Sequence, residues 1–206
     1  IKIMDDLSQL TNLNLKNVDS KCRFDSCTKL KRVVLTSTNV KLNNKWTEIS
    51  DLDASHMYNR LPDIYCKIKH VKLSYCNFSY VSSFSSTLET LHLENIDFEY
   101  FEIPNTFVNL KKLILRNIWS IKTIPINLPK LTHLELTQVE VHIPDTYKNL
   151  KTLIVNNWIW CRFSSILSKC KNIELLSIEF GHYSHEIVKI PETCTKLTKL
   201  HVINSD

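Results

Sequence analysis

The stretch Leu110-Lys-Lys-Leu113-Ile-Leu115 is the clearest copy of a pattern that recurs along the whole chain. Leu131-Thr-His-Leu134-Glu-Leu136 and Leu150-Lys-Thr-Leu153-Ile-Val155 repeat it, with apolar residues at the first, fourth and sixth positions. Seven weaker copies keep the same frame: Leu10/Leu13/Leu15, Leu30/Val33/Leu35, Ile49/Leu52/Ala54, Ile68/Val71/Leu73, Leu88/Leu91/Leu93, Ile173/Leu176/Ile178 and Leu197/Leu200/Val202. The ten first positions lie 19 to 24 residues apart. A sustained period of this length indicates a solenoid of stacked units.

A second landmark fixes the phase of the repeat. An Ile-Pro or Leu-Pro pair places its apolar residue seven positions before the next first position. The pairs are Leu61-Pro62, Ile103-Pro104, Ile124-Pro125, Ile143-Pro144 and Ile190-Pro191. Because proline lacks an N–H and fixes φ, we expect these pairs on the return path, outside the hydrogen-bonded strands.

Each string is predicted to form a short strand, whose fourth and sixth positions point inward while their neighbours point out to a concave surface. Parallel pairing of successive strands satisfies backbone groups that would otherwise be stranded in the core. About 20 residues per repeat leave little room for a helix of the mean length of about 11 to 12 residues, so short 3-10 turns and extended segments are expected on the convex side. The exception is Cys161–Cys170, which has apolar residues at helical spacing. The sequence predicts an α/β solenoid, one domain of about ten repeats over residues 1–206.

The repeated string resembles that of the leucine-rich-repeat superfamily over essentially the whole chain. Three repeats, Cys27-Thr-Lys-Leu30, Cys170-Lys-Asn-Ile173 and Cys194-Thr-Lys-Leu197, are similar to the cysteine-containing repeats of F-box leucine-rich-repeat proteins. The resemblance implies a right-handed superhelix with a parallel concave β-sheet. It also implies a binding function, with the recognition part of an F-box-type ubiquitin-ligase adaptor or a viral or parasite host-interaction protein as examples.

Composition narrows the function further. Charged residues make up 23% of the 206-residue chain, both signs are mixed, and the formal net charge is +5. No apolar run approaches the roughly 18 to 20 residues that a membrane helix needs, so we expect no membrane partner. The seven cysteines are odd in number and include no CxxC pair, which argues against a disulfide framework and a zinc site. We therefore expect an intracellular protein, cytoplasmic or nuclear.

The outward positions of the central strands are the candidate partner-binding residues. Their mixture of charges with branched apolar side chains, predicted to be exposed, is typical of a surface that binds protein. The set is His70, Lys72, His92, Glu94, Lys112, Ile114, Arg116, His133, Glu135 and Ile154. The sequence thus predicts a non-catalytic module that binds a protein on its concave sheet face.

A different interpretation makes His92, Glu94, His133 and Glu135 a metal or acid–base site, since these residue types on adjacent strands can converge. Lys112 and Arg116 stand between them and would compete for the carboxylates. The single glycine excludes a glycine-rich phosphate loop. We therefore expect no catalytic residue, no cofactor and no metal.

The rival class of partner is nucleic acid, which we expect less because the positive balance is small. Four strands are preceded by lysines that could form a stripe along one rim, and phosphate contacts would make binding steeply salt-dependent. These lysines are Lys31, Lys69, Lys111 and Lys151.

Other positions carry predictions about packing. The ninth position of the motif is mostly apolar, from Val18 to Trp158, so apolar packing is expected to replace an asparagine ladder. Asparagine recurs one place earlier, at Asn17, Asn95, Asn117 and Asn157, either bonding the descending turn or serving as a polar turn residue. Trp158 and Trp160 are expected in the core, and Trp119 is expected to be exposed. No polar capping repeat follows the last strand, so flanking residues or an interface are expected at one end.

Overall fold

Ten short strands and one helix make up the regular structure of the computed structural model. It describes residues 7–18, 24–40, 42–57, 67–76, 86–96, 102–121, 123–139, 141–144, 146–158, 163–180 and 189–204. The strands are β1 (Asn12–Lys16), β2 (Arg32–Thr36), β3 (Asp51–Ser55), β4 (His70–Ser74), β5 (Thr90–Glu94), β6 (Lys112–Arg116), β7 (His133–Thr137), β8 (Thr152–Trp158), β9 (Leu175–Phe180) and β10 (Lys199–Asn204). The helix is α1 (Phe163–Lys169), between β8 and β9.

All ten strands belong to one parallel sheet, in which each strand pairs with its neighbours in sequence. Equivalent positions of the repeat face each other across the sheet, so that Leu91, Leu113 and Leu134 lie in register. Even the degenerate third copy forms β3, with Leu52 and Ala54 buried. The prediction of a solenoid of ten aligned parallel strands is therefore confirmed.

The core is a set of columns, each filled by one position of the repeat. The fourth and sixth positions point inward and are buried along most of the sheet. Three residues before the first position, Trp46, Phe107 and Tyr147 fill the interior of their repeats. There the chain makes a turn, as in the bond from the Leu110 N–H to the Phe107 carbonyl at 3.0 Å. Neighbouring repeats bury each other's apolar side chains, which no single repeat can do alone.

Two large buried side chains each donate a hydrogen bond to a backbone carbonyl of the preceding repeat. Trp46 Nε1 donates to the Phe24 carbonyl at 3.0 Å, and Tyr147 Oη donates to the Pro125 carbonyl at 2.5 Å. Because a buried donor without a partner is costly, these bonds permit an indole and a phenol inside the solenoid. Burial raises the pKa of the Tyr147 hydroxyl, which keeps it in its donating form.

The return path is short, as expected from the repeat length. Among the described residues, α1 is the only helix, and it lies inside the predicted stretch Cys161–Cys170. The other described return segments are turns and extended chain. Ile166 and Leu167 of α1 are buried, so the apolar spacing of this stretch faces the core. The prediction of one helical exception is confirmed.

The eighth position of seven repeats has left-handed backbone, with φ between 48° and 55°. The residues are Asn17, Ser37, His56, Tyr75, Asn95, Asn117 and Gln138. Asparagine tolerates this region better than most residues with a Cβ atom, which explains its recurrence there. Asn117 Nδ2 also donates to Asn95 Oδ1 at 3.0 Å. This position is thus a turn position whose main requirement is a positive φ.

At the ninth position, Met57, Ile96, Ile118 and Val139 are buried, which confirms that apolar packing replaces an asparagine ladder. Some predicted positions lie outside the described residues, namely Leu61-Pro62, Cys22, Cys66, Cys161, Trp160 and the side chain of Trp158. In the described part of the chain, no helix is both long and apolar enough to cross a bilayer.

Candidate partner-binding face

The outward side chains of the sheet form one continuous surface, called the open face below. It consists of the first, third and fifth residues of each strand. All ten predicted partner-binding residues lie on it, in β4 to β8. Three rows cross these strands in register: His70, Thr90, Lys112, His133 and Thr152; Lys72, His92, Ile114, Glu135 and Ile154; and Ser74, Glu94, Arg116, Thr137 and Asn156. The sheet therefore brings the predicted residues together.

The centre of the open face is more buried than we expected. Ile114 was predicted to be an exposed apolar residue, but only 7% of its surface is exposed. Glu135, its neighbour in the same row, is 9% exposed. The flanking side chains His92, Arg116 and His133 are each partly buried, so they cover these two residues. The prediction that Ile114 offers an exposed apolar contact is wrong, whereas His70 and Lys72 are exposed.

An ion-pair network explains why a carboxylate can lie so deep. The guanidinium of Arg116 donates to Glu135 Oε1 from Nε at 2.8 Å and from Nη2 at 2.5 Å. His133 Nε2 lies 3.8 Å from the other carboxylate oxygen, Oε2. Contact with His133, followed by the hydrogen bonds and charge of Arg116, lowers the pKa of Glu135 to about 2. Glu135 is therefore ionised at neutral pH and fixes the position of Arg116.

His92, on β5, is another partly buried side chain of the open face and lies in the same row as Glu135. Its Nε2 lies 3.7 Å from Glu94 Oε2, too far for a hydrogen bond. Burial lowers the pKa of His92, and the positive charge of Arg116 adds to this effect. The Nε2 atoms of His92 and His133 are both buried without a hydrogen-bond partner. A group bound at the centre of the face can therefore form hydrogen bonds with these two atoms.

A shallow depression of about 300 Å³ lies beside this network and spans β2 to β6. It is lined by Arg32, Val33, Asp51, Leu52, Asp53, His70, Val71, Lys72, Thr90, His92, Lys112 and Ile114. The predicted site omitted Arg32, Asp51, Asp53 and Thr90. The signal that could have found them is their outward strand position, which they share with the predicted residues.

The geometry does not gather a metal-binding or acid–base group. No set of three or more His, Cys, Asp or Glu side chains among the described residues is placed to hold a metal ion. Arg116 forms an ion pair with the carboxylate of Glu135, in agreement with the expectation that Arg116 competes for it. What the arrangement can do is present charges and hydrogen-bond donors to a bound surface.

The predicted lysine rim is partly neutralised by carboxylates of the same column. Glu89 lies 2.7 Å from Lys111 Nζ and 3.6 Å from Lys69 Nζ, and hydrogen bonding with Lys111 lowers the pKa of Glu89. Lys151 Nζ lies 2.9 Å from Glu174. Three of the four rim lysines are thus in ion pairs, which reduces the positive potential along the rim.

Among the described residues, the two most exposed large apolar side chains lie away from the open face. Trp119 is 62% exposed in the bend after β6, which confirms the predicted exposure. Ile126 is 67% exposed, on a segment for which the repeat pattern gave no expectation. Neither residue belongs to the three rows of the open face.

No protein-family model matches the chain, and no curated protein matches it. Solved structures do. A leucine-rich-repeat protein from Leptospira interrogans is 18% identical, with a TM-score of 0.66 over 96% of this chain and 62% of that one. The leucine-rich-repeat ectodomain of the Arabidopsis thaliana receptor kinase GASSHO1/SCHENGEN3, in complex with CASPARIAN STRIP INTEGRITY FACTOR 2, is 19% identical, with a TM-score of 0.56 over 88% of this chain. The plant peptide hormone receptor RGFR1, in complex with RGF2, is also 19% identical, with a TM-score of 0.52 over 96% of this chain.

This chain spans 25% and 40% of the two plant receptor chains. At these identities, the likeness concerns the fold and not the partner. Together with the ten parallel strands and the repeated string, it shows that this chain has the leucine-rich-repeat fold.

Proposed function

We propose that the chain is a non-catalytic protein-interaction module, which binds its partner across the open face. The observation that carries the proposal is the centre of that face, where a partly buried ion pair lies beside a shallow depression of about 300 Å³. A depression this shallow suits a protein surface better than a small molecule, which needs an enclosing cleft. Arginine is enriched in protein interfaces, and Arg116 lies at this centre.

The solved structures support the same function. Two of the similar chains are receptors in complex with their partners, one with CASPARIAN STRIP INTEGRITY FACTOR 2 and one with RGF2. A sheet with ten parallel strands about 4.8 Å apart offers a partner a long, uniform surface.

A finer proposal concerns the place of the module in the cell. We propose an intracellular adaptor, for example the recognition part of an F-box-type ubiquitin ligase. Cys27, Cys170 and Cys194 support it, because they stand in the place that the F-box-type repeats give to cysteine, and all three are buried. Recovery of ubiquitin-ligase subunits with the chain would support the adaptor role. Recovery of extracellular partners alone would contradict it.

The test of the main proposal exchanges charges across the open face. Because Arg116 and Glu135 form an ion pair, the double variant Arg116→Glu with Glu135→Arg keeps opposite charges together while inverting what a partner meets. The matched control is Lys67→Glu with Glu48→Lys, an exposed inter-repeat pair 2.6 Å apart, in the turns before β3 and β4. Both exchanges leave the net charge at its original value.

Each chain is used as bait in a cell lysate, and the captured proteins are identified by mass spectrometry. We expect the original chain and the Lys67/Glu48 exchange to recover the same protein, and the Arg116/Glu135 exchange to lose it. Equal capture by all three chains would refute the role of the open face. Circular dichroism melting of each variant establishes that loss of capture is not loss of fold.

A further inference from the structure

We propose that the partner presents an acidic segment, which lies across the first residues of strands β4 to β8. This rests on the proposed function, since it names the chemistry that the same face would recognise. These residues are called the amino row: His70, Thr90, Lys112, His133 and Thr152. The segment is an extended stretch of protein whose carboxylates meet the amino row.

The amino row is a line of hydrogen-bond donors without a carboxylate. Its members face one another in register across four consecutive strand pairs, at the sheet spacing of about 4.8 Å. Lysine, threonine and histidine each carry an N–H or O–H group. Carboxylates and peptide carbonyls are therefore the complementary groups for this row.

Lys112 is the centre of the row and carries the charge for this interaction. It is partly buried, and the ion pairs of the described residues do not include it. By contrast, Lys72 Nζ lies 4.0 Å from Asp53, and Lys111 Nζ lies 2.7 Å from Glu89. An ammonium group with no paired carboxylate gains a charge-assisted hydrogen bond from an anion brought to it.

The carboxylates of the open face near Lys112 already have partners. Glu135 binds Arg116, Asp53 pairs with Lys72, and Asp51 accepts a hydrogen bond from Ser50 Oγ at 2.5 Å. The depression of about 300 Å³ also reaches Lys112, so there is room for an incoming side chain. An acidic segment of a partner would supply the anion that Lys112 lacks.

An acidic protein segment fits this row better than a nucleic acid does. Salt-dependent binding of nucleic acid uses several lysines or arginines, each on its own phosphate. The amino row holds one lysine, and Lys69, Lys111 and Lys151 of the neighbouring rim already pair with Glu89 or Glu174. One lysine among histidine and threonine donors suits a carboxylate with peptide carbonyls beside it.

The test measures fluorescence anisotropy at low ionic strength with three labelled probes. These are an alternating Glu-Gly peptide, an alternating Lys-Gly peptide of equal length, and an oligothymidylate. The chain is compared with Lys112→Glu, Lys112→Gln and Lys45→Glu. Lys45 is an exposed residue of the turn before β3, so Lys45→Glu changes the net charge by the same amount as Lys112→Glu, away from the open face.

We expect the Glu-Gly peptide to bind at least about tenfold more tightly than the Lys-Gly peptide. Lys112→Glu and Lys112→Gln should each weaken it by about tenfold, the effect of one charge-assisted hydrogen bond, and Lys45→Glu by less than about twofold. Equal affinity for both peptides would overturn the proposal. So would tighter binding of the oligothymidylate, no binding of the Glu-Gly peptide at about 1 mM, or equal losses in Lys112→Glu and Lys45→Glu.

The capture assay separates this proposal from the proposed function. Unchanged capture of the partner by Lys112→Glu would overturn the acidic segment, while loss of capture in the Arg116/Glu135 exchange would still support the open face. The opposite result is also distinguishable. If Glu-Gly peptide binding depended on Lys112 while the Arg116/Glu135 exchange left capture unchanged, the acidic segment would be supported and the proposed function contradicted. Melting curves of the variants show whether the fold is kept.

Discussion

Replacing Glu135 with glutamine should destabilise the fold at neutral pH and have little effect near pH 2. His133 and Arg116 lower the pKa of this carboxyl from 4.5 to about 2. Each tenfold change in proton affinity corresponds to about 1.4 kcal/mol, so the ionised carboxylate stabilises the fold by about 3 kcal/mol. The side chain of Glu135 is 12% exposed and that of Arg116 is 38% exposed, so solvent screening reduces this contribution somewhat. Glutamine keeps the size and one acceptor oxygen, and the expected loss is about 2 to 3 kcal/mol.

The pH dependence has a definite sign. Because the pKa is lower in the folded chain than in the unfolded chain, the stabilisation is complete well above pH 4.5. It is lost as the pH falls through about 2, where the folded form also becomes protonated. The difference in stability between the original chain and Glu135→Gln should therefore shrink steadily over this range.

Urea unfolding, followed by circular dichroism at several pH values between about 7 and 3, measures this difference. The control is Glu48→Gln, because Glu48 also pairs with a cation, Lys67, but its side chain is 42% exposed. An exposed ion pair contributes about 0 to 1 kcal/mol, so the control should lose little at any pH. A Glu135→Gln loss that is the same at every pH, or no larger than that of the control, would refute the assigned role of the ion pair.

Three further predictions concern the solenoid itself. Trp46→Phe should destabilise the fold by about 2 kcal/mol in thermal melting, because it leaves the Phe24 carbonyl without its donor and creates a small cavity; an unchanged melting temperature would contradict this. Ser37→Asn should stabilise it by about 0.5 kcal/mol, since asparagine tolerates the left-handed φ of 48° better, and calorimetry would detect a decrease if this reasoning failed. Four cysteines should react slowly with iodoacetamide in the folded chain and rapidly in urea, because they are buried and burial raises the pKa of thiols such as Cys76. Mass spectrometry measures the labelling, and rapid labelling of the folded chain would exclude this packing. They are Cys27, Cys76, Cys170 and Cys194.

The fold was predictable from the chain because its information is local and repeated. Each string with apolar first, fourth and sixth positions specifies one strand, and ten copies specify one register. Even the degenerate string Ile49/Leu52/Ala54 followed its neighbours into the sheet, since β2 and β4 pair with it from both sides. The helical spacing within Cys161–Cys170 identified α1 for the same reason.

The site was only partly predictable, because exposure on the open face depends on neighbours in other repeats. The strand pattern places Ile114 outward, but His92 and Glu135 lie beside it in register and cover it. The pattern likewise gave no distance between Arg116 and Glu135, which stand on different strands and two positions apart along the sheet. The left-handed φ at Asn117 was also not evident from sequence, because Tyr75 and Gln138 occupy the same position elsewhere.

In the described part of the chain, the hydrogen bonds that side chains donate to the backbone of another repeat share one direction. Trp46 donates to Phe24, Thr146 to Ile126 and Thr198 to Glu174, and in each case the acceptor comes earlier in the chain. Chains are synthesised from the amino end, so every acceptor carbonyl leaves the ribosome before its donor does. Each of these donors therefore meets a backbone acceptor that was synthesised before it, one repeat earlier in the chain.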